Sequence, residues 1–446
     1  MATTGMYFIH RVRSADDGRI LRESLPPQNL LSSSMRRQPV PGWRAGAAHL
    51  GLPEGSIIAA ADRSQTAFVG SLDERGYFLA GSATTPTPHW WLVGLDMRDG
   101  HRLFAPVPLG NATKGPECFL NGPTALLCLA DDAQTATAWV IDADTGSVSF
   151  TGPTDLRLRP PRLAVKQVGI FAVAETEDEG VYGVGAKAEA TWFVPGDGAV
   201  STPLIPNIGT APQTIATQTA ASGRSETKVV FSLSDGAIIT PQVGEDVRTL
   251  GAVVYPGGFA VELIGGESRS KAASPDGIGF FDTTGKRLGQ TQDSGNLAAN
   301  SPDVAVVVSS PESRVYTANG RPIAQIPDFE VLSGARVVGT RLFVDESESP
   351  SFPRWQQYDL LTGEKGNACE FDMGFRYLGT DGSVGVFKVL NPDAGLVAKA
   401  VDLTNCETAW TLPAEVRSAA TIFRVSNTLV QLSDDGTELF SLVAPA

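Results

Sequence analysis

"GFFDTTGKRLG", residues 279–289, sets two adjacent aromatic residues ahead of an Asp, follows them with a glycine-closed turn and ends on a second short run. Close relatives of this stretch stand at "GLDMRDGHRLF" (94–104), "VIDADTGSVSF" (140–150), "YDLLTGEKGNA" (358–368) and "VDLTNCETAWT" (401–411). An Asp opening a turn accepts hydrogen bonds from the backbone N–H groups just ahead of it, and a Gly closing the turn takes the positive φ that a tight hairpin needs. Each copy therefore reads as strand, turn, strand, and both residues serve the backbone. Weaker versions occur at "FVPGDGAVST", "FSLSDGAIIT", "YTANGRPIAQ" and "LSDDGTELFS".

The copies recur on average about every 42 residues, the length of a four-stranded propeller blade. From Gly42 onward, apolar runs of strand length alternate with Gly, Asp, Asn and Pro, and no stretch reads as a long helix. The expected fold is all-β: a single closed β-propeller over 43–446, with seven or eight four-stranded blades. The C-terminal "TIFRVSNTLVQLSDDGTELFSLVA" supplies three strands of a blade, and 43–52 is expected to add the fourth and seal the ring. Residues 1–42 carry serines, prolines and scattered charges without a period, as a flexible arm does. The opening residues hold no apolar core of signal-peptide length, so the expectation is that an anchor or leader precedes this chain.

The net charge of -14, with no Lys/Arg cluster to offset it, excludes nucleic acid as a partner and disfavours an anionic membrane surface. The four cysteines form two sequence-local pairs, Cys118 with Cys128 and Cys369 with Cys406, without the C-x-x-C or nearby His of a zinc site. Two disulfides and an oxidising compartment are expected. The four histidines do not converge, no nucleophile elbow, zincin or phosphate-loop motif occurs, and the acidic turns lack the ligand set of a calcium loop. Neither a catalytic residue nor a metal site is expected. Four aromatic residues are candidate ligand or partner contacts: Phe352 and Trp355 in the Pro-punctuated stretch 343–359, and Trp90 and Trp91 in "PHWWLVGLD". The insertions 81–89 and 265–277 are candidates for the same rim.

The pattern apolar-Asp-x-x-Thr-Gly, followed by a strand ending in an aromatic as in "VIDADTGSVSF", resembles quinoprotein-type, PQQ-like propeller repeats. Enzymes of that class surround their cofactor with cation, carboxylate and Trp ligands, and their blades carry a regular Trp docking motif. Here only Phe104, Phe150 and Trp410 end the repeats, so no cofactor is expected and a PQQ-dependent dehydrogenase is kept as an alternative, beside a propeller-based carbohydrate hydrolase or lyase. In overall texture the chain resembles actinobacterial cell-envelope propellers of the polar growth factor A-like family. That resemblance implies a non-catalytic, monomeric periplasmic protein, held at the membrane by its missing anchor. It would bind a glycolipid such as trehalose monomycolate, or dock on a membrane transporter, in mycolate transport and envelope growth.

Overall fold

The computed structural model describes residues 25, 27–59, 67–82, 88–112, 115–132, 135–203, 208–221, 227–265, 275–299, 301–309, 312–327, 334–349, 351–389, 395–414 and 421–446. Their regular structure is antiparallel β-sheet apart from one short helix, Ala47–Leu50. In chain order the sheets are blade 1 (56–111), blade 2 (117–154), blade 3 (164–195), blade 4 (215–232), blade 5 (247–291), blade 6 (296–327), blade 7 (335–369), blade 8 (377–413) and blade 9 (421–443 with 40–46). Eight of them are full blades of four strands, five in blade 1, where Ser56–Ile58 and Phe68–Leu72 both pair with Arg75–Ser82. Blade 4 is reduced to two strands, Ile215–Thr219 and Lys228–Ser232. Single bridges, Ser201 with Thr217 and Phe231 with Ile238, mark the positions of its inner and outer strands.

Packing explains why the strands are apolar on both faces. Neighbouring side chains on a strand point to opposite sides of the sheet. Phe280 packs between blades 5 and 6, whereas Phe281 packs between blades 4 and 5, and neither is exposed. The same division runs round the ring, with one apolar cluster for every pair of consecutive blades. The last cluster joins Phe423, Val430 and Leu439 of blade 9 to Phe78 and Val93 of blade 1.

Closure follows the expected plan with shifted bounds. Val40–Gly46 is the outer strand of blade 9, paired from Val40 with Val443 to Gly46 with Glu438, while residues 47–50 leave the sheet as the helix. Blade 9 thus draws on both ends of the chain. The repeated turns also behave as read: Asp142 Oδ1 accepts from the Asp144 and Thr145 amides at 3.1 and 2.8 Å, and Gly146 has φ 69°. The closing glycine has a second duty. A Cβ at Gly146 would lie 2.5 Å from the Phe104 ring of blade 1, one at Gly100 2.6 Å from Trp43 of blade 9, and one at Gly236 2.6 Å from Trp192 of blade 3. Each of these turns seats an aromatic from the preceding blade, Trp43 and Trp192 from its outer strand and Phe104 from the bend that leads into it.

Both disulfides form as expected. Cys118 and Cys128 face each other across the first hairpin of blade 2, and Cys369 joins the outer strand of blade 7 to Cys406 in a turn of blade 8. With no free cysteine, the pair of bridges fits an extracellular or periplasmic location. No helix among the described residues is long and apolar enough to cross a membrane.

Candidate functional site

The inner strands of the blades surround a central channel, and at the end bearing their first-to-second strand turns the mouth is occupied by two segments of the chain itself. One is the N-terminal arm. Of the flexible segment expected over 1–42, residues 1–24 and 26 lie outside the described residues, residues 27–39 are tied to the ring, and Val40 already belongs to blade 9. The Gln28 side chain donates to Val337 O at 2.6 Å and accepts from Gly339 N at 2.8 Å, on blade 7. Leu31 N donates to Thr380 O and Ser32 N to Asn427 O, each at 2.8 Å, on blades 8 and 9. Met35 N donates to Asp381 Oδ2 at 2.7 Å, and the Trp410 indole N–H reaches Met35 O at 2.7 Å. Leu31 and Met35 are buried in the seam between blades 8 and 9, and Leu25 is buried between blades 6 and 7. The ordering entropy of an arm is here opposed by three apolar anchors and a run of backbone bonds.

The second segment precedes the first strand of blade 4, and 202–203 and 208–214 are its described residues. Its far part meets the arm: Asn29 N donates to Gly209 O at 2.6 Å, and Gln28 pairs with Thr210. Under this junction lie Asp303, Arg336, Tyr377 and Arg424. Arg336 donates to Ile208 O at 3.3 Å and stands over the Tyr377 ring at 5.0 Å, and Arg424 donates to Asn29 O at 2.5 Å. Asp303 accepts from Val337 N at 3.1 Å through Oδ2. Burial raises its carboxyl above the usual range, only partly opposed by the Arg336 charge. Burial likewise pushes the Tyr377 phenol up to about 12 and lowers the Arg424 guanidinium. Arg336 and Arg424 thus bind the two segments to the ring, with Asp303 and Tyr377 buried beneath them.

Beside the junction, against the inner strands of blades 1 to 3, a recess of about 360 Å³ remains open. Phe68, Leu120 and Ile170 line one side and Pro203, Ala211 and Gln213 the other; all its lining residues are uncharged. Gln167 is committed to the Leu120 amide and to Gly169 O. Such a surface can hold apolar groups and exchange neutral hydrogen bonds, but it supplies no group that titrates near neutral pH. Among the described residues no three His, Cys, Asp or Glu side chains come together as a metal site requires.

The four aromatic residues singled out in the sequence do not form one site. Phe352 is 78% exposed, on the connection between the second and third strands of blade 7. Trp355, three residues on, is a correction: it starts the strand Trp355–Asp359, pairs with Asp345 and Cys369, is 1% exposed and packs between blades 7 and 8. Trp90 is also core, its indole bonded to Ala112 O at 2.9 Å, and Trp91 is half-buried against the cluster that closes the ring. Most of the two insertions, 83–87 and 266–274, lies outside the described residues. The arm and the Asp303–Arg336 pair escaped sequence reading, although Leu25, Leu31 and Met35 are apolar residues spaced through a polar segment.

Comparison with known proteins places this geometry. A protein of Mycolicibacterium smegmatis (strain MKD8) is 43% identical over 432 residues, covering 94% of this chain and 88% of its own length. Among solved structures, BamB from Moraxella catarrhalis aligns with 87% of this chain and 96% of its own at 13% identity and TM-score 0.38. Quinohemoprotein alcohol dehydrogenase from Comamonas testosteroni aligns with 96% of this chain and 82% of its own at 11% identity and TM-score 0.34. Residues 18–445 match the conjugation-associated 9-bladed β-propeller domain, a count that the eight full blades and the reduced fourth together meet, and the chain belongs to that family.

Proposed function

We propose that the protein is a non-catalytic, extracytoplasmic recognition scaffold that docks a partner protein of a conjugation apparatus at the channel mouth. The carrying observation is the uncharged recess beside the self-plugged junction. Acid–base catalysis needs a titratable side chain within reach of the reacting proton, and the recess lining offers none. Apolar and neutral polar groups between a rigid ring and a connecting loop instead suit burial of a partner's side chains. The description of the family supports conjugation as the setting.

The test is a deletion in the native host complemented with the wild type or with Ala211→Trp, which fills the recess from its exposed wall. The wild type should restore DNA transfer between cells, and the variant should leave it at least tenfold lower at equal protein level and melting temperature. Unchanged transfer in the deletion refutes the conjugation setting. If the deletion instead alters surface trehalose mycolates, and the purified protein carries such a lipid by mass spectrometry, the glycolipid-transport reading replaces this one. Reduction of a dye on addition of PQQ, calcium and an alcohol would overturn the non-catalytic assignment.

A further inference from the structure

At the seam between blades 5 and 6 the repeat ends without an aromatic at the rim. Where the repeats of blades 1, 2 and 8 end on Phe104, Phe150 and Trp410, the outer strand of blade 5 carries Gly289, the last residue of "GFFDTTGKRLG". Gly289 lies against the Asn319–Gly320 backbone of the blade 6 turn, and Phe280, from the adjacent strand, covers Gly320 instead. The apolar packing stops at Tyr316, whose ring centroid is 5.4 Å from that of Phe280. Outside it, a cleft of about 350 Å³ opens between the outer strands of the two blades.

We propose that this cleft binds a neutral saccharide. Its one cation is already engaged: Arg314 pairs with Asp293, in the connection from blade 5 to blade 6, and, at 2.6 Å, with Glu312, which also accepts from the Gln325 amide. One cation between two carboxylates leaves no positive charge to hold an anion. The remaining capacity is mixed. Gln290 accepts from Arg287 through Oε1 at 2.8 Å, and no described residue takes its amide protons. The Thr291 hydroxyl accepts from Asp293 N at 3.2 Å and keeps its proton to give, while Gln325 Oε1 remains free to accept. Sugar hydroxyls both donate and accept, and need such an array of neutral donors beside acceptors. Pro322 and Ala324 add an apolar wall for the C–H face of a ring. The volume stands at the low end of small-molecule sites, roughly 300–1,000 Å³, which suits one or two sugar rings.

Saturation-transfer NMR on the folded chain, with glucose, trehalose and N-acetylglucosamine as millimolar probes, tests the assignment. At least one probe should receive saturation from the protein. The triple variant Gln290→Ala, Thr291→Val, Gln325→Ala should bind that probe at least tenfold more weakly with an unchanged melting temperature. Three silent probes overturn the proposal, as does equal transfer to the triple variant, and as does equally strong binding of glucuronate or glucose 6-phosphate. None of these outcomes bears on the channel recess, so docking there stands or falls by its own experiment.

Discussion

The turn of blade 8 breaks the repeat rule, and it does so with Cys406. Where Gly100, Gly146 and Gly363 close the equivalent turns at φ 76°, 69° and 70°, Cys406 holds φ 67° and donates its amide to Asp402 O at 2.9 Å. A residue with a Cβ in the left-handed region costs roughly 1 kcal/mol relative to Gly. The disulfide to Cys369 spans 37 residues, and closing a loop of that size in the unfolded chain stabilises the native state by about 3.8 kcal/mol on the chain-entropy model. The two effects oppose each other at one residue, so the double variants Cys369→Ala/Cys406→Ala and Cys369→Ala/Cys406→Gly separate them. Both should lose roughly 3 to 4 kcal/mol against the wild type, and the glycine variant should be the more stable of the pair by about 1 kcal/mol. Urea unfolding followed by tryptophan fluorescence, with slopes compared first, reads both differences. Loss of the Cys369 sulfur from its buried cluster is common to the two variants and cancels between them. A glycine variant no more stable than the alanine variant would refute the positive-φ argument. A loss below about 1 kcal/mol in both would mean that the bridge hardly restricts the unfolded chain.

Trp355→Ala should cost about 3–5 kcal/mol, and Phe352→Ala should stay within about 0.5 kcal/mol in the same urea assay, since one ring fills a seam and the other lies in solvent. Gly339→Ala, at φ 60° with nothing near its absent Cβ, should cost about 1 kcal/mol. Gly146→Ala should cost clearly more, because the new methyl meets the Phe104 ring as well. At Asp381 burial opposes ionisation, but the amides of Val384, Met35 and Ser383 outweigh it and hold the carboxyl below its ordinary value. A depressed acid contributes stability above its unfolded value and loses it as pH falls through its folded value, so the arm should stay clasped at neutral pH and loosen only in acid below the ordinary carboxylate range. Hydrogen exchange at Leu31–Arg36 should reproduce that loosening at neutral pH in Asp381→Ala; unchanged protection there would show that the apolar anchors alone hold the arm.

The ring was legible because its chemistry is local. Asp and Gly at fixed offsets announce a hairpin wherever they fall, and "GFFD" announces a strand buried on both sides. Blade 4 was harder, since its inner and outer strands shrink to single bridges that no apolar run of strand length marks. Trp355 was misplaced because Pro353 suggested a loop that ends one residue before the strand begins, and burial there is set by Cys369 and Phe371 of a distant segment. The arm depends on partners more than 300 residues away in sequence, so its composition resembles a tether while its contacts do not. The rim cleft at Gly289 was visible as a missing aromatic, but that an absence becomes a space depends on the neighbouring blade.

The outer strand of blade 9 comes from the first tenth of the chain and its partner from the last residues. During synthesis or export, Val40–Gly46 therefore emerges early and has no template to pair with until Glu438–Val443 has followed. Until then the first and last blades each present an open flank, attractive to chaperones and proteases alike. A chain cut short between the two segments leaves the outer strand of blade 9 without its partner, so the ring closes only when both are present.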